Sequence, residues 1–328
     1  MNRTIVENRN LAKSRSDLIV NRNKGIRNAG KRIKKSKYLL LMIIPAIIFY
    51  VVFCYVPMYG VIIAFKTYFP KRGIWGSPWA EPYGLGNFAY IFEDEKFWQV
   101  LGNTLLIGTG KIIISFVSAI IVALLINEIR MRVFKKTVQI IVTFPHFLSW
   151  VIMYGVLLAL LSPSEGILND IIKMFGGTAK GFLTDSTAFP IIVILSDAWK
   201  EIGWSAIIFI AALMGIDGSL FEAAIVEGAN SWQRVRYITL PSIKPVIVIV
   251  LLMKIGTILD AGFNQLYMLQ SDAVLGIGDI IDTWVYRGTI QGKFSLATAA
   301  GIFKGVIGMT LLFVSNWASR KFSENSLF

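Results

Sequence analysis

Seven ionisable side chains lie inside runs otherwise dominated by Ile, Leu, Val, Phe and Ala: Lys111, Asp197, Lys200, Glu201, Lys254, Asp260 and Lys304. The four lysines sit about 7 to 12 residues into those runs, or roughly 10–18 Å along a helix. A charge at the centre of an apolar helix costs about 2.5–3.5 kcal/mol even on a lenient scale, so seven such groups cannot all face hydrocarbon. Asp197 and Glu201 are four residues apart and share a helix face. Two arrangements remain open. The charges pair between helices, Glu201 with Lys254 or Asp197 with another lysine, or they line a hydrated cavity. Four lysines against three carboxylates leave at least one ammonium over if pairing is one to one. A water-filled cavity with spare positive charge favours an anionic guest. Lys200 and Lys254, the deepest, are the expected contacts, with Lys304 and Asp260 beside them. Trp199, Trp204, Asn264, Gln265 and Tyr267 add aromatic faces and amides as further candidates for contact with a guest.

Other chemistries find little material. The one histidine, His146, excludes a His-rich metal site, no metal site is expected, and neither H-E-x-x-H nor G-x-S-x-G occurs. The one cysteine, Cys54, excludes an intrachain disulfide. Gly108-Thr109-Gly110-Lys111 lacks the earlier Gly and the following Ser/Thr of a phosphate-binding loop, and it lies in an apolar run. The chain is expected to bind no nucleotide and to be no enzyme.

A second stretch, residues 222–241, reads EAAIVEGANSWQRVRYITLP between two long apolar runs. Ser219-Leu220-Phe221-Glu222 has the form of a capping box, which predicts a helix start there, with Gly228 as its stop. Ser231 offers a second cap, for a short helix through Trp232, Arg234 and Arg236 ending before Pro241. Ala223, Ala224, Gly228 and Ala229 present little bulk, so another surface can approach the backbone closely. Glu222, Glu227, Arg234 and Arg236 place charges at the edges. The stretch reads as a docking element or as an amphipathic hairpin on a lipid surface.

The elements that must hold these residues follow from composition. The 328 residues are 55% hydrophobic and 16% charged, well under the charge of a soluble domain, which is about 25%. Six apolar spans are predicted, at about 38–66, 103–127, 137–161, 189–214, 243–262 and 297–318, each long enough for ~30 Å of hydrocarbon. Pro45 and Pro57 predict that the first tilts or kinks. Segments 1–37, 128–136, 215–242 and 319–328 hold 20 of the Lys and Arg residues, against 7 in 67–102, 162–188 and 263–296. Positive charge stays cytoplasmic, so both termini and the 215–242 loop are expected in the cytosol. Much of the net charge of +13 comes from residues 1–37, which hold twelve Lys and Arg against Glu7 and Asp17. That segment is expected to be a disordered cytoplasmic tail held by anionic membrane lipid, with nucleic acid excluded as a partner.

Glu222-Ala223-Ala224, then Gly228, then Ile238, Leu240 and Pro241 resemble the signature cytoplasmic loop of permease subunits of binding-protein-dependent ABC importers. The segments GNTLLIGTGKIIISFVSAIIVALLINEIR, QIIVTFPHFLSWVI, SDAWKEIGWSAIIFIAAL and FSLATAAGIFKGVIGMTLLFVSNW are similar to its polysaccharide and complex-oligosaccharide branch. Glu227 stands where that family more often has Asp, with the charge kept. The resemblance implies an all-α, polytopic cell-membrane protein of the type I importer permease fold, with a permease domain over 38–320 and a C-terminus at 321–328. It implies that Glu222, Ala223, Ala224, Glu227, Gly228, Ala229, Arg234, Ile238, Leu240 and Pro241 dock an ATPase dimer, which binds the ATP and Mg. It further implies a second, related permease subunit and an extracellular or periplasmic solute-binding protein. The cargo would be an oligosaccharide. A stand-alone secondary sugar transporter is the alternative.

Overall fold

A computed structural model describes residues 37–322, so the basic tail expected over 1–37 lies almost wholly outside the described residues, as does 323–328. Among the described residues there is no strand, and helices carry the whole architecture. The chain divides into two compact units at Val61.

In the first unit, α1 (Lys37–Tyr50) widens into a π-turn at Val51–Tyr55. Pro57 follows two residues later. Proline lacks an N–H and its ring clashes with the carbonyl four residues back, and a widened turn relieves both. The expected irregularity of the first span is therefore present, and the candidate span runs Leu40–Phe65.

The second unit contains α2 (Gly86–Glu93), α3 (Glu95–Glu128), α4 (Arg132–Thr143), α5 (Trp150–Leu161), α6 (Ile167–Met174) and α7 (Ala188–Met214). It continues through α8 (Gly218–Val226), α9 (Ser231–Arg234), α10 (Leu240–Gly256), α11 (Phe263–Leu269), α12 (Ile281–Ile290) and α13 (Phe294–Phe322). Its spine is the pair α3 and α7. Ile107 of α3 packs with Phe189 and Val193 of α7. Further along, Phe116, Ala119, Ala123 and Ile126 meet Ala206, Phe209, Ile210 and Leu213. The two helices therefore run in the same direction. The alanines matter because lipid offers no hydrophobic drive between helices, and small side chains let backbones reach van der Waals contact.

Three expectations differ from the structure. Residues 137–161 do not form one straight helix: Arg132–Phe147 and Trp150–Leu161 meet at 105°. Pro145 sits in the 3₁₀ turn at Phe144–Phe147, and Ser149 restarts the helix by accepting from the Ile152 amide. Hydropathy records apolar length and is blind to this change of direction. The fifth span ends at Gly256, not near residue 262, and Thr257–Gly262 is non-helical. Asp260 therefore sits on a loop. Finally, the second short helix does not stop before Pro241. It runs through a π-turn at Val235–Thr239 into α10, so Ser231–Gly256 is one 26-residue helix. The same device as at Pro57 carries the chain past a proline.

Candidate functional site

The non-helical Thr257–Gly262 segment is where the charges converge. Gly108 of α3 lets it come close: a Cβ there would stand 2.1 Å from the Ile258 carbonyl oxygen. One turn along α3, the buried Lys111 donates to the Ala261 carbonyl at 2.6 Å and to Gln265, and ion-pairs with Asp197 at 3.3 Å. A backbone segment without helical bonds is tolerable at membrane depth only where protein groups or water satisfy it. Lys111 is one of those groups.

Around this break lies a cavity of about 140 Å³ lined by Lys111, Ser115, Asp197, Glu201, Lys254 and Asp260, with Gly108, Ile112, Thr257 and Ile258 between them. The expected pairing of Asp197 with a lysine of another helix is present, through Lys111. Glu201 does not pair with Lys254. It hydrogen-bonds His146 Nδ1 at 2.9 Å and lies 3.5 Å from Lys200. Lys200 is buried and donates to the His146 carbonyl at 2.5 Å, at the end of the broken helix. It thus acts as a structural clamp and does not line this cavity. Lys304 is held by Asp260 at 2.5 Å and by Asp282 at 2.8 and 2.9 Å. Asp282, on α12, is a fourth carboxylate that hydropathy assigns to a loop. Lys254 alone of the four lysines forms no ion pair among the described residues. The buried Ser115 hydroxyl on the cavity wall also has no protein partner.

The aromatic and amide candidates disperse. Gln265 is fully buried and holds Lys111, Ser196 and the Val193 carbonyl, so it is scaffold. Trp199 is exposed on the Leu195 side of α7, half a turn from Asp197 and Glu201, and does not line the cavity. Trp204 stacks on the His146 ring at 4.5 Å. Tyr267 stacks on Phe263 and meets Tyr286 edge-on, with Asn264 exposed beside them. Tyr286 is one turn from Asp282 on α12, so this aromatic cluster adjoins the Lys304 ion pairs. The residues missed by sequence reasoning were His146, Ser115 and Asp282. Ser115 was open to detection, because Gly108, Lys111 and Ser115 share one face of α3.

The loop between α7 and α10 forms the second site. Asp217, not Ser219, caps α8, accepting from the Ser219 amide at 3.0 Å, and this bond holds its carboxyl below the usual carboxylate range. Gly228 ends the helix as expected, with φ +82°. The amides of Gly228 and Ala229 reach back to the carbonyls of Ile225 and Ala224 at 3.0 and 2.9 Å, closing a Schellman motif. Asn230, not Ser231, then caps α9 in a reciprocal pair with Gln233, both bonds at 2.8 Å. Arg234 folds back onto the Ala229 carbonyl and Ser231. Glu222, Glu227, Gly228, Ile225 and Val226 are exposed, as are Trp232 and Tyr237. Between the two helices is a depression of about 360 Å³ lined by Ala224, Glu227, Gly228, Ala229, Arg234 and Ile238, with Gln233 and Tyr237 at its edge. Leu240 and Pro241 lie beyond it, at the start of α10.

Residues 115–324 match the family described as binding-protein-dependent transport system inner membrane component. The chain belongs to this family. The permease is accordingly a multi-pass membrane protein, a transport subunit and not an enzyme. It is 37% identical over 297 residues to Protein LplB of Bacillus subtilis (strain 168), covering 90% of this chain and 92% of the relative. It is 41% identical over 298 residues to the polygalacturonan/rhamnogalacturonan transport system permease protein YteP of the same organism, covering 90% and 92%. Among solved structures it is similar to a chain of a bacterial ABC transporter that imports the acidic polysaccharide alginate. The TM-score there is 0.81 and the identity 36%, over 89% of this chain and 98% of that one. The fold of the permease is therefore that of an importer transmembrane subunit, as expected, and a component of a binding-protein-dependent system is no stand-alone carrier.

Proposed function

We propose that this permease carries an acidic oligosaccharide into the cytoplasm, driven by a separate ATPase dimer that docks on the 218–238 loop. The observation that carries the reading is Lys254: an ammonium on the cavity wall without an ion pair among the described residues, while Lys111, Lys200 and Lys304 are each engaged. A cation left unpaired at membrane depth is tolerable where it meets water or a transient anion. A uronate carboxylate is such an anion, and the unpartnered Ser115 hydroxyl is set to meet sugar hydroxyls. The names of two relatives, a polygalacturonan/rhamnogalacturonan permease and an alginate importer, support the same class of cargo.

The coupling follows from which helices flank the loop. α7 enters it and α10 leaves it. Glu201 stands 13 residues before the end of α7, and Lys254 stands 13 residues after Pro241, so each lies about 20 Å from the docking surface along a helix. Closure of the ATPase dimer against α8 and α9 moves both levers at once, and the cavity between them switches from inward- to outward-facing. A second permease subunit completes the cavity. A solute-binding protein delivers cargo, as a periplasmic protein carrying an alginate pentasaccharide does in a complex of the alginate transporter. In that cycle ATP and Mg sit on the ATPase dimer.

The test compares uptake of an acidic oligosaccharide with its carboxyl-reduced counterpart. Wild type should prefer the acidic sugar, and Lys254→Met should lower that preference about tenfold, the worth of one charge-assisted contact. Equal uptake of both sugars by the wild type would refute the assignment.

A further inference from the structure

A second polar cleft lies on the opposite face of the permease from the docking loop. α3 and α7 run in the same direction, and α7 ends at that loop, so the starts of both helices mark the far face. There, the end of α2, the start of α3, the length of α12 and the start of α13 enclose a volume of about 380 Å³. Its chemistry is carried by Tyr90, Lys96, Trp284, Arg287 and Lys293. It shares no lining residue with the translocation cavity. Lys96 is 15 residues before Lys111 on α3, so the two sites are roughly 22 Å apart along that helix.

The carboxylates of this cleft are already committed. Asp94 accepts from the Lys96 amide at 2.9 Å as the cap of α3. Asp279 is fully buried and accepts from Thr283 at 2.7 Å and from Arg287. A buried carboxylate is a costly brace for a half-exposed arginine. Its effect is to fix the guanidinium fork at the cleft wall with further N–H donors unused, since an arginine has five. Lys293 is exposed, and its ammonium makes no ion pair or hydrogen bond among the described residues. Two cations with free donors, one of them rigid, therefore line the same concavity as an indole and a phenol. A planar fork binds carboxylate in two parallel bonds, and aromatic walls with a few placed polar groups are the usual make-up of a small-ligand site.

We propose that this cleft is an entry subsite for the acidic oligosaccharide, in which Arg287 and Lys293 hold a sugar carboxylate while Trp284 and Tyr90 pack against the ring. It rests on the reading that the cargo is acidic. The chemistry favours a sugar acid: the Arg287 fork, fixed by Asp279, and the Lys293 side chain line the same concavity as Trp284 and Tyr90.

The experiment titrates trigalacturonate, and separately its carboxyl-reduced form, into the assembled transporter in lipid nanodiscs without its binding protein. Lys293→Gln and Arg287→Lys should each weaken trigalacturonate binding about tenfold, and the reduced sugar should not compete. Lys293→Gln removes an exposed, unpartnered group, so its result stands even if Arg287→Lys fails to fold. Wild-type affinity in both folded variants overturns the proposal. A loss confined to Lys254→Met also overturns it, while leaving the membrane cavity as the sugar site. Unchanged sugar affinity with weakened capture of the binding protein overturns it too, and makes the cleft a protein-docking surface.

Discussion

At the scale of single residues, Lys111 is the group on which most depends. It joins α3 to the Ala261 carbonyl, to Gln265 and to Asp197, and so ties the rigid helix pair to the non-helical segment that carries Asp260. Lys111→Met leaves Asp197 without its ion-pair partner and the break without a donor. We expect a loss of about 3–5 kcal/mol, read as earlier thermal unfolding of the purified transporter, because removing one partner strands the other. Pairing it with Asp197→Leu should recover part of that loss, and a double variant no better than the single would count against the pair. Asp217 gives a second prediction, from its lowered carboxyl pKa, whose cause is the bond from the Ser219 amide. A carboxyl whose pKa is lower folded than unfolded contributes stability above its unfolded value and loses it as pH falls through the folded one. Protection of the first-turn amides of α8 should therefore fade in acid, measured by hydrogen exchange corrected for intrinsic rate. In Asp217→Asn, which still caps but does not titrate, that fading should vanish.

At the scale of elements, two glycines make opposite demands. Gly108 is required by contact, since a side chain would strike the Ile258 carbonyl, and Gly108→Leu should push α3 off the break and abolish transport in a protein that still reaches the membrane. Gly228 is required by conformation: there is open space around it, but φ +82° suits no bulky side chain. Gly228→Trp should open the Schellman turn, and with Glu222→Lys should weaken ATPase association in purified complexes. Normal transport by either would remove the loop from the docking role. Much of this arrangement was legible in the residue order. The apolar runs, the two-helix loop and the Gly228 stop follow from local patterning, which is where helix physics resides. What was hidden is directional or long-range. The 105° bend at Leu148-Ser149 joins two equally apolar segments. The true caps, Asp217 and Asn230, stand among other cap-capable residues, and only backbone angles choose between them. Asp282 reads as a loop acid until the fold brings Lys304 to it.

At the scale of the whole molecule, orientation is the property that every other assignment assumes. In a Cys54→Ala background, cysteine at Ser231 should react with membrane-impermeant reagents only from the cytosol, and cysteine at Ser164 only from outside; the reverse would invert the topology drawn from Lys and Arg. The ion pairs described above then have an electrical meaning. Lys111, Lys200, Lys254 and Lys304 are matched in number by Asp197, Glu201, Asp260 and Asp282, so these eight groups together carry no net formal charge. A membrane voltage pulls on net charge, by about 2.3 kcal/mol per elementary charge per 100 mV. Moving the empty network as one body is thus nearly blind to voltage. An acidic cargo is not: each carboxylate carried into a cell whose interior is negative moves against the field, and every sugar acid added to the chain raises the work that ATP must supply.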